Sequence, residues 1–284
     1  ETPTPVPRLS PPPPSPTPRP PEPTPTAVPR LLDQVRFVTY YGIPQVPEAG
    51  ILGAQPLVMS IPELQAWARE LTHDAPDGRE TRPAVHLVVT VAQREPGSDG
   101  RFRARLPRPL VGDWVTQAQE AGLAVILDIQ PGRGDVLGEV AYWADLLRKP
   151  GVHLALDPEF VMGPNQIPGR DLGSVSARQV NQVQAFLSGL AETSGEPKML
   201  VVHQFADSMV TDKAQLQAFT AVDLVINADG VGRPADKLAD YRQYVREPGF
   251  QFGGVKLFLQ ADEPLLTVPE LMRLEPPPAV VVIQ

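Results

Sequence analysis

The chain contains no cysteine, so neither a disulfide framework nor a thiolate metal site can be built from it. Nor does it hold an apolar run long enough to cross a bilayer. The phosphate-binding turns GxGxxG and GxxxxGK[ST] are missing, and so is the GxSxG of a nucleophile elbow. Dinucleotide, P-loop and serine-hydrolase chemistries therefore lose their usual signatures. The four histidines, His73, His86, His153 and His203, are scattered, with neither HxH nor HExxH spacing. The expectation is a chain with no metal and no other cofactor, and with His86 and His153 early enough in their strands to be core residues. Positive charge is also short: the net charge is −8, which argues against nucleic acid or an anionic membrane surface as a partner.

Proline is what the chain has in excess, 36 in all, and fourteen of them fall between Glu1 and Arg30. Proline fixes φ and removes a backbone donor, so this stretch can form neither helix nor sheet. Its few large apolar side chains cannot offset the entropy of ordering. Residues 1–33 are expected to be an extended, disordered Pro/Thr-rich linker, and 34–284 a single domain. Such a stalk suits a spacer or wall-spanning tether, so the protein is expected outside the cytoplasm, secreted or held at the cell surface. A lipid-bearing residue just ahead of Glu1 would supply the anchor, and the chain is expected to be a monomer.

From Val35 onward, apolar runs of five to eight residues alternate with amphipathic stretches. The runs are Arg36–Tyr41, Val85–Val91, Leu123–Gln130, Val152–Asp157, Met199–Phe205, Asp223–Asp229, Gly254–Gln260 and Ala279–Gln284. Helices are expected from Ser60, over about 110–121 and 136–147, from Ser176 to about Glu192, from Thr211, over 234–245, and after Thr267. Ser60-Ile-Pro-Glu63, Ser176-Ala-Arg-Gln179 and Thr267-Val-Pro-Glu270 read as capping boxes. Strands apolar on both faces that alternate with helices make a parallel sheet covered by helices, and eight units in about 250 residues predict a closed (β/α)8, or TIM, barrel.

In a barrel the C-terminal strand ends carry the site. Here those ends supply Tyr40 and Tyr41, Asp128 and Gln130, Asp157 and Glu159, His203 and Gln204, Asp229, Lys256 and Gln260. Amides, carboxylates, tyrosines and a lysine suit a ligand rich in hydroxyl groups. A carbohydrate or cell-envelope ligand is therefore the expected partner, bound by Tyr40, Tyr41, Gln130, His203, Gln204, Asp229, Lys256 and Gln260. Long loops at 42–59, 93–108 and 160–175 would wall a groove, with Phe102, Phe160 and Phe205 as apolar faces or as loop packing. Arg133-Gly134-Asp135 reads as the turn into the third helix.

Leu156-Asp157-Pro158-Glu159-Phe160 is the most informative segment. Alternation puts Asp157 and Glu159 on one side of the fourth strand, and Asp128 on the neighbouring strand can approach them. Crowded carboxylates raise at least one pKa, and a carboxyl that keeps its proton near neutrality is what glycosidic cleavage requires. Glu159 is the candidate acid, with Asp157 and Asp128 supporting it. Asp-Pro is also a common way to turn a chain out of a strand.

The Asp-x-Glu at the end of the fourth strand resembles the motif of barrel glycosidases of the chitinase (family 18) and barrel-lysozyme (family 25) type. That resemblance implies Glu159 as acid and Asp157 as its support. It does not extend to the longer DxxDxDxE pattern, to an Asp on the first strand, where Tyr40 and Tyr41 stand, or to a Glu on the seventh. The chain as a whole is also similar to bacterial extracytoplasmic barrel proteins of uncharacterised activity. Two other classes are open: a non-catalytic barrel that binds a glycan or envelope partner, and a lyase using Lys256 as a Schiff base.

Overall fold

The computed structural model describes residues 30–284. Eight parallel strands form a barrel wall: β1 (Val35–Gly42), β2 (Glu80–Ala92), β3 (Ala124–Ile129), β4 (Val152–Leu156), β5 (Lys198–Gln204), β6 (Val222–Ala228), β7 (Phe252–Leu257) and β8 (Val280–Ile283). Each pairs with its successor, and β8 returns to β1 with Phe37 opposite Val280 and Thr39 opposite Val282. The wall is closed, and the chain is a TIM barrel, as the alternating pattern predicts.

Side chains leave the strands in two directions. Phe37, Val88, Ile126, Val201, Val225 and Val280 pack inside the barrel. Leu87, Leu127, Leu154, Leu200 and Leu224 pack outward against the helices. Both faces are dry, which is why the strands read as unbroken apolar runs instead of alternating ones.

The helices are α1 (Ile51–Ala54), α2 (Leu57–Asp74), α3 (Arg108–Glu120), α4 (Val136–Ala141), α5 (Ala144–Leu147), α6 (Ala177–Ser194), α7 (Pro234–Tyr244) and α8 (Val268–Met272). The Ser176/Gln179 and Thr267/Glu270 capping boxes both form, and α6 stops at Gly195 in the left-handed region.

The helix expected from Ser60 starts earlier, at Leu57, and carries Pro62 in its interior. Leu57 shares a buried face with Leu64, Ala68 and Leu71, so burial extends the helix back to Pro56. Ser60 is not a cap; its hydroxyl accepts from Gln55 Nε2 at 2.8 Å.

No helix starts at Thr211. Two 3-10 turns, Asp207–Met209 and Lys213–Gln215, join β5 to β6, with Asp212 in the left-handed region between them. The carbonyls there are taken by α6 instead: Asn181 Nδ2 donates to Gln215 O at 2.8 Å, and Gln184 Nε2 to Gln217 O at 3.1 Å.

The proline-rich stalk lies outside the described residues, apart from its last positions. Arg30 and the turn Leu31–Asp33 close the N-terminal pole of the barrel. The Leu32 N–H donates to Asp223 Oδ2 at 2.8 Å, and Arg30 Nε pairs with Asp223 Oδ1 at 3.0 Å. Among the described residues no helix is long and apolar enough to cross a membrane.

Candidate functional site

The upper half of the barrel interior is polar, and its polar groups form a chain across the ends of five strands. Asp128, at the end of β3, is fully buried. Its Oδ2 lies 3.4 Å from His86 Nε2 on β2 and 3.4 Å from His203 Nε2 on β5. His203 Nδ1 lies 3.2 Å from Asp229 Oδ2, just past β6, and Asp229 Oδ1 lies 3.2 Å from Lys256 Nζ on β7. The Tyr41 ring covers this chain: its centroid is 5.1 Å from that of His86 and 6.2 Å from that of His203, and Lys256 Nζ sits 3.8 Å above it. Asn227, also inward, places Nδ2 3.2 Å from His203 Nδ1. Its room is made by Gly254 on β7, where a Cβ would come within 2.6 Å of Asn227 Oδ1.

The charges set one another. Burial alone would pull the His203 imidazole down, yet Asp229 and Asp128 on either side carry its pKa up to about 10. Burial opposes ionisation of Asp128, but His203 and His86 hold it well below the usual carboxylate range. Asp229 is lowered as well, because Lys256 and His203 outweigh its burial. His86 goes the other way: burial lowers it to about 4, so it is neutral at ordinary pH.

Asp157 follows β4 and caps the 3-10 turn Pro158–Phe160. Its Oδ1 accepts from the Glu159 N–H at 3.1 Å and its Oδ2 from Gln130 Nε2 at 3.3 Å. Gln130 is oriented in turn by the Ala92 N–H, which donates to its Oε1 at 3.1 Å; β2 changes register against β3 between Val88 and Thr90 just before this contact. Burial raises Asp157 to about 7, His203 opposing and Asp128 and Asp229 adding to the rise.

The Glu159 side chain is half-buried, and among the described residues its carboxylate has no hydrogen bond or ion pair. Burial, followed by the charge of Asp229, raises its pKa, against the pull of Lys256 and His203. The turn that carries it is clamped by Gly173, whose N–H donates to Glu159 O at 2.8 Å. A Cβ at Gly173 would meet the carbonyl oxygens of Pro158, Glu159 and Val161 at 2.6 Å each.

A cavity of about 530 Å³ opens above these groups. Asp157, Glu159, Asp229 and Lys256 supply its charge, Gln130 and Gln284 its amides, and Phe160, Phe205 and Phe258 its apolar wall. A second cavity of about 450 Å³ shares Phe258 and Gln284 with it, and contains Tyr40, Glu63 and Gln260.

The residues singled out from sequence thus divide into four groups. Tyr41, Gln130, Asp157, Glu159, Asp229 and Lys256 share the first cavity, and Asp128 and His203 lie buried within the barrel. Tyr40 and Gln260 line the second cavity, Tyr40 turning outward to Glu63 Oε2 at 3.4 Å. Gln204 lies in neither, being wholly buried toward the helix layer near Tyr244. Phe102 is also elsewhere: it packs under Arg133, whose guanidinium lies 4.0 Å from its ring centroid. Arg133-Gly134-Asp135 is the turn into α4, with Asp135 Oδ2 capping Gly138 N at 2.7 Å.

His86 was missed by sequence reasoning. Its apolar run makes it look like an early core position, but β2 begins sooner, at Glu80, so His86 falls at mid-barrel, level with the site. His153 does lie at the other pole, edge-on to Phe37 at 5.6 Å, where burial lowers it to about 3. No protein-family model matches the chain, and no curated protein is significantly similar to it.

Proposed function

We propose that the chain is a glycoside hydrolase-like barrel that works outside the cytoplasm on an extracellular or cell-envelope polysaccharide, with Glu159 as the general acid. The observation that carries this reading is Glu159 itself: a carboxylate with no side-chain partner among the described residues, raised in pKa, in the cavity that also holds Asp157, Asp229 and Lys256. Glycosidic cleavage needs a carboxyl that can hand a proton to the leaving oxygen and an ionised carboxylate to face the positive anomeric carbon. Glu159 fits the first need. Asp229, kept ionised by Lys256 and His203, fits the second. In this scheme the proton passes from Glu159 to the glycosidic oxygen as the C–O bond breaks. Water then adds to the anomeric carbon and returns a proton to the site.

Gln130, Gln284 and the phenylalanine wall supply the hydroxyl partners and the flat apolar contacts that a sugar ring uses. The second cavity, sharing a wall with the first, supports a chain of several sugars over a single residue. The Pro/Thr-rich sequence ahead of Arg30 supports an extracytoplasmic setting and a tether upstream of Glu1.

One observation favours the alternative, a barrel that binds glycan without cleaving it. Both oxygens of Asp157 are committed, one to the turn and one to Gln130, so Asp157 does not bond the Glu159 carboxyl. Reducing-end release from a panel including peptidoglycan and chitin, by wild type and Glu159→Gln side by side, separates the two. Release by wild type alone establishes the hydrolase. Release by both removes Glu159 as the acid. Glycan binding with no release by either leaves the binding protein.

A further inference from the structure

Beneath the cavity, three side chains from three strands meet without hydrogen bonds. His86, Asp128 and His203 are each fully buried. One ligand-type atom from each lies within 4.8 Å of the other two, and Asp128 Oδ2 stands 3.4 Å from both His86 Nε2 and His203 Nε2. Neither contact has hydrogen-bond alignment, so among the described residues both Nε2 atoms and both Asp128 oxygens are unpartnered. A charge-assisted N–H···O bond would draw in to about 2.7–2.9 Å. The 3.4 Å found here is instead the edge of a tetrahedron whose centre lies about 2.0–2.1 Å from each corner, the length of a zinc bond to imidazole or carboxylate.

We propose that His86, Asp128 and His203 form a binding site for one divalent first-row transition metal ion, zinc being the chemical type. Two imidazoles and one carboxylate are the donors such ions take, whereas calcium and magnesium require oxygen shells. The surroundings match those of metal-binding histidines, which pass their second ring N–H to a carboxylate. Behind His203 the carboxylate is Asp229, whose Oδ2 lies 3.2 Å from Nδ1 beside the Asn227 amide, and Lys256 holds the far oxygen of Asp229. The Tyr41 ring packs on both histidines. Three protein ligands leave a fourth position for water or another small donor. The inference shares Asp229 with the glycosidase reading but does not rest on Glu159, so either can fail without the other.

The test uses the full chain, unfolded in chelator and refolded with or without Co²⁺, because a site this deep exchanges slowly when folded. Equilibrium dialysis and the visible d–d bands of Co²⁺ read the result. One equivalent of Co²⁺ is expected for wild type and for His73→Ala, which removes only an exposed histidine, and at least a 100-fold weaker affinity for His86→Gln. Asp229→Asn is expected to weaken binding about 10- to 100-fold, the usual effect of losing a partner behind a ligand. Folded wild type that takes up no Co²⁺, or His86→Gln that binds as wild type does, would overturn the proposal. Should His86→Gln fail to fold, X-ray absorption of zinc-loaded wild type answers the same question. Two imidazoles in the first shell are expected, and an all-oxygen shell refutes the site.

Discussion

Both poles of the barrel bury charged side chains, and they do so differently. At the N-terminal pole, the charges hold backbone. Arg36 gives Nε to Pro278 O at 2.6 Å and pairs with Asp77 at 2.9 Å. Lys198 Nζ donates to Lys149 O at 3.0 Å and Val152 O at 3.2 Å, and Asp223 accepts the Leu32 N–H. Each ties chain segments to the barrel floor. At the C-terminal pole, Asp128, His203, Asp229 and Lys256 face one another, several of their atoms have no partner, and a cavity lies above. Burial of charge therefore does not mark a site by itself. Unpartnered atoms alone do not separate the poles, since Arg36 Nη1 is one too; what marks a site is buried charges that face one another beneath a cavity.

That contrast can be broken by experiment, and the largest effect is expected at the upper pole. Glu159→Gln should lower glycan cleavage by about 100- to 10,000-fold, the usual share of a general acid, with the melting temperature unchanged. Arg36→Ala at the lower pole should do the reverse. It leaves Pro278 O without its buried donor, while Asp77 keeps Arg79 Nη2 at 2.7 Å, and should cost about 1–3 kcal/mol of stability, read by denaturant unfolding, while turnover per folded molecule stays the same. Comparable loss of turnover in both variants would erase the distinction between the poles.

A smaller effect sharpens it. The Asp157 carboxyl, about 7 in the folded chain, is raised above its unfolded value of about 3.9. Folded protein thus holds a proton that the unfolded chain releases, so stability is greatest below about pH 4 as far as this group is concerned, declines as pH rises toward 7, and then levels off. Asn also gives up one of the two acceptors, a cost common to both conditions, so Asp157→Asn should be more favourable at pH 8 than at pH 4 by up to about 4 kcal/mol relative to wild type. Thermal melts of chelator-treated protein at the two pH values would show this; an equal shift at both would mean that no raised carboxyl is present. Smallest of all, Gln204→Leu should change stability by about 1 kcal/mol or less and leave activity intact, because its buried amide has no hydrogen-bond partner to lose. A large loss of cleavage in that variant would return Gln204 to the site.

How much of this was legible in the sequence depended on range. The strands were, because doubly buried strands write their burial as continuous apolar runs, and so were the two capping boxes, whose partners lie three residues apart. Phase was not. Tyr40-Tyr41 and His203-Gln204 are adjacent pairs, and alternation allows only one of each to face the barrel interior. Tyr41 and His203 do so, while Tyr40 and Gln204 turn away. The segment after β5 had polar residues that suited a surface helix, but Asp212 turns left-handed and α6 supplies the missing donors from elsewhere in the chain. His86, Asp128 and His203 escape any spacing rule because barrel closure, not local sequence, brings them together.

The placement of Arg30 has a consequence for orientation. It is fastened to Asp223 at the N-terminal end of β6, whereas the cavity opens beyond the C-terminal ends of the strands. Whatever precedes Arg30 is therefore joined to the barrel at the pole opposite its opening. A ligand approaching the cavity therefore does not have to pass the point at which the chain enters the barrel.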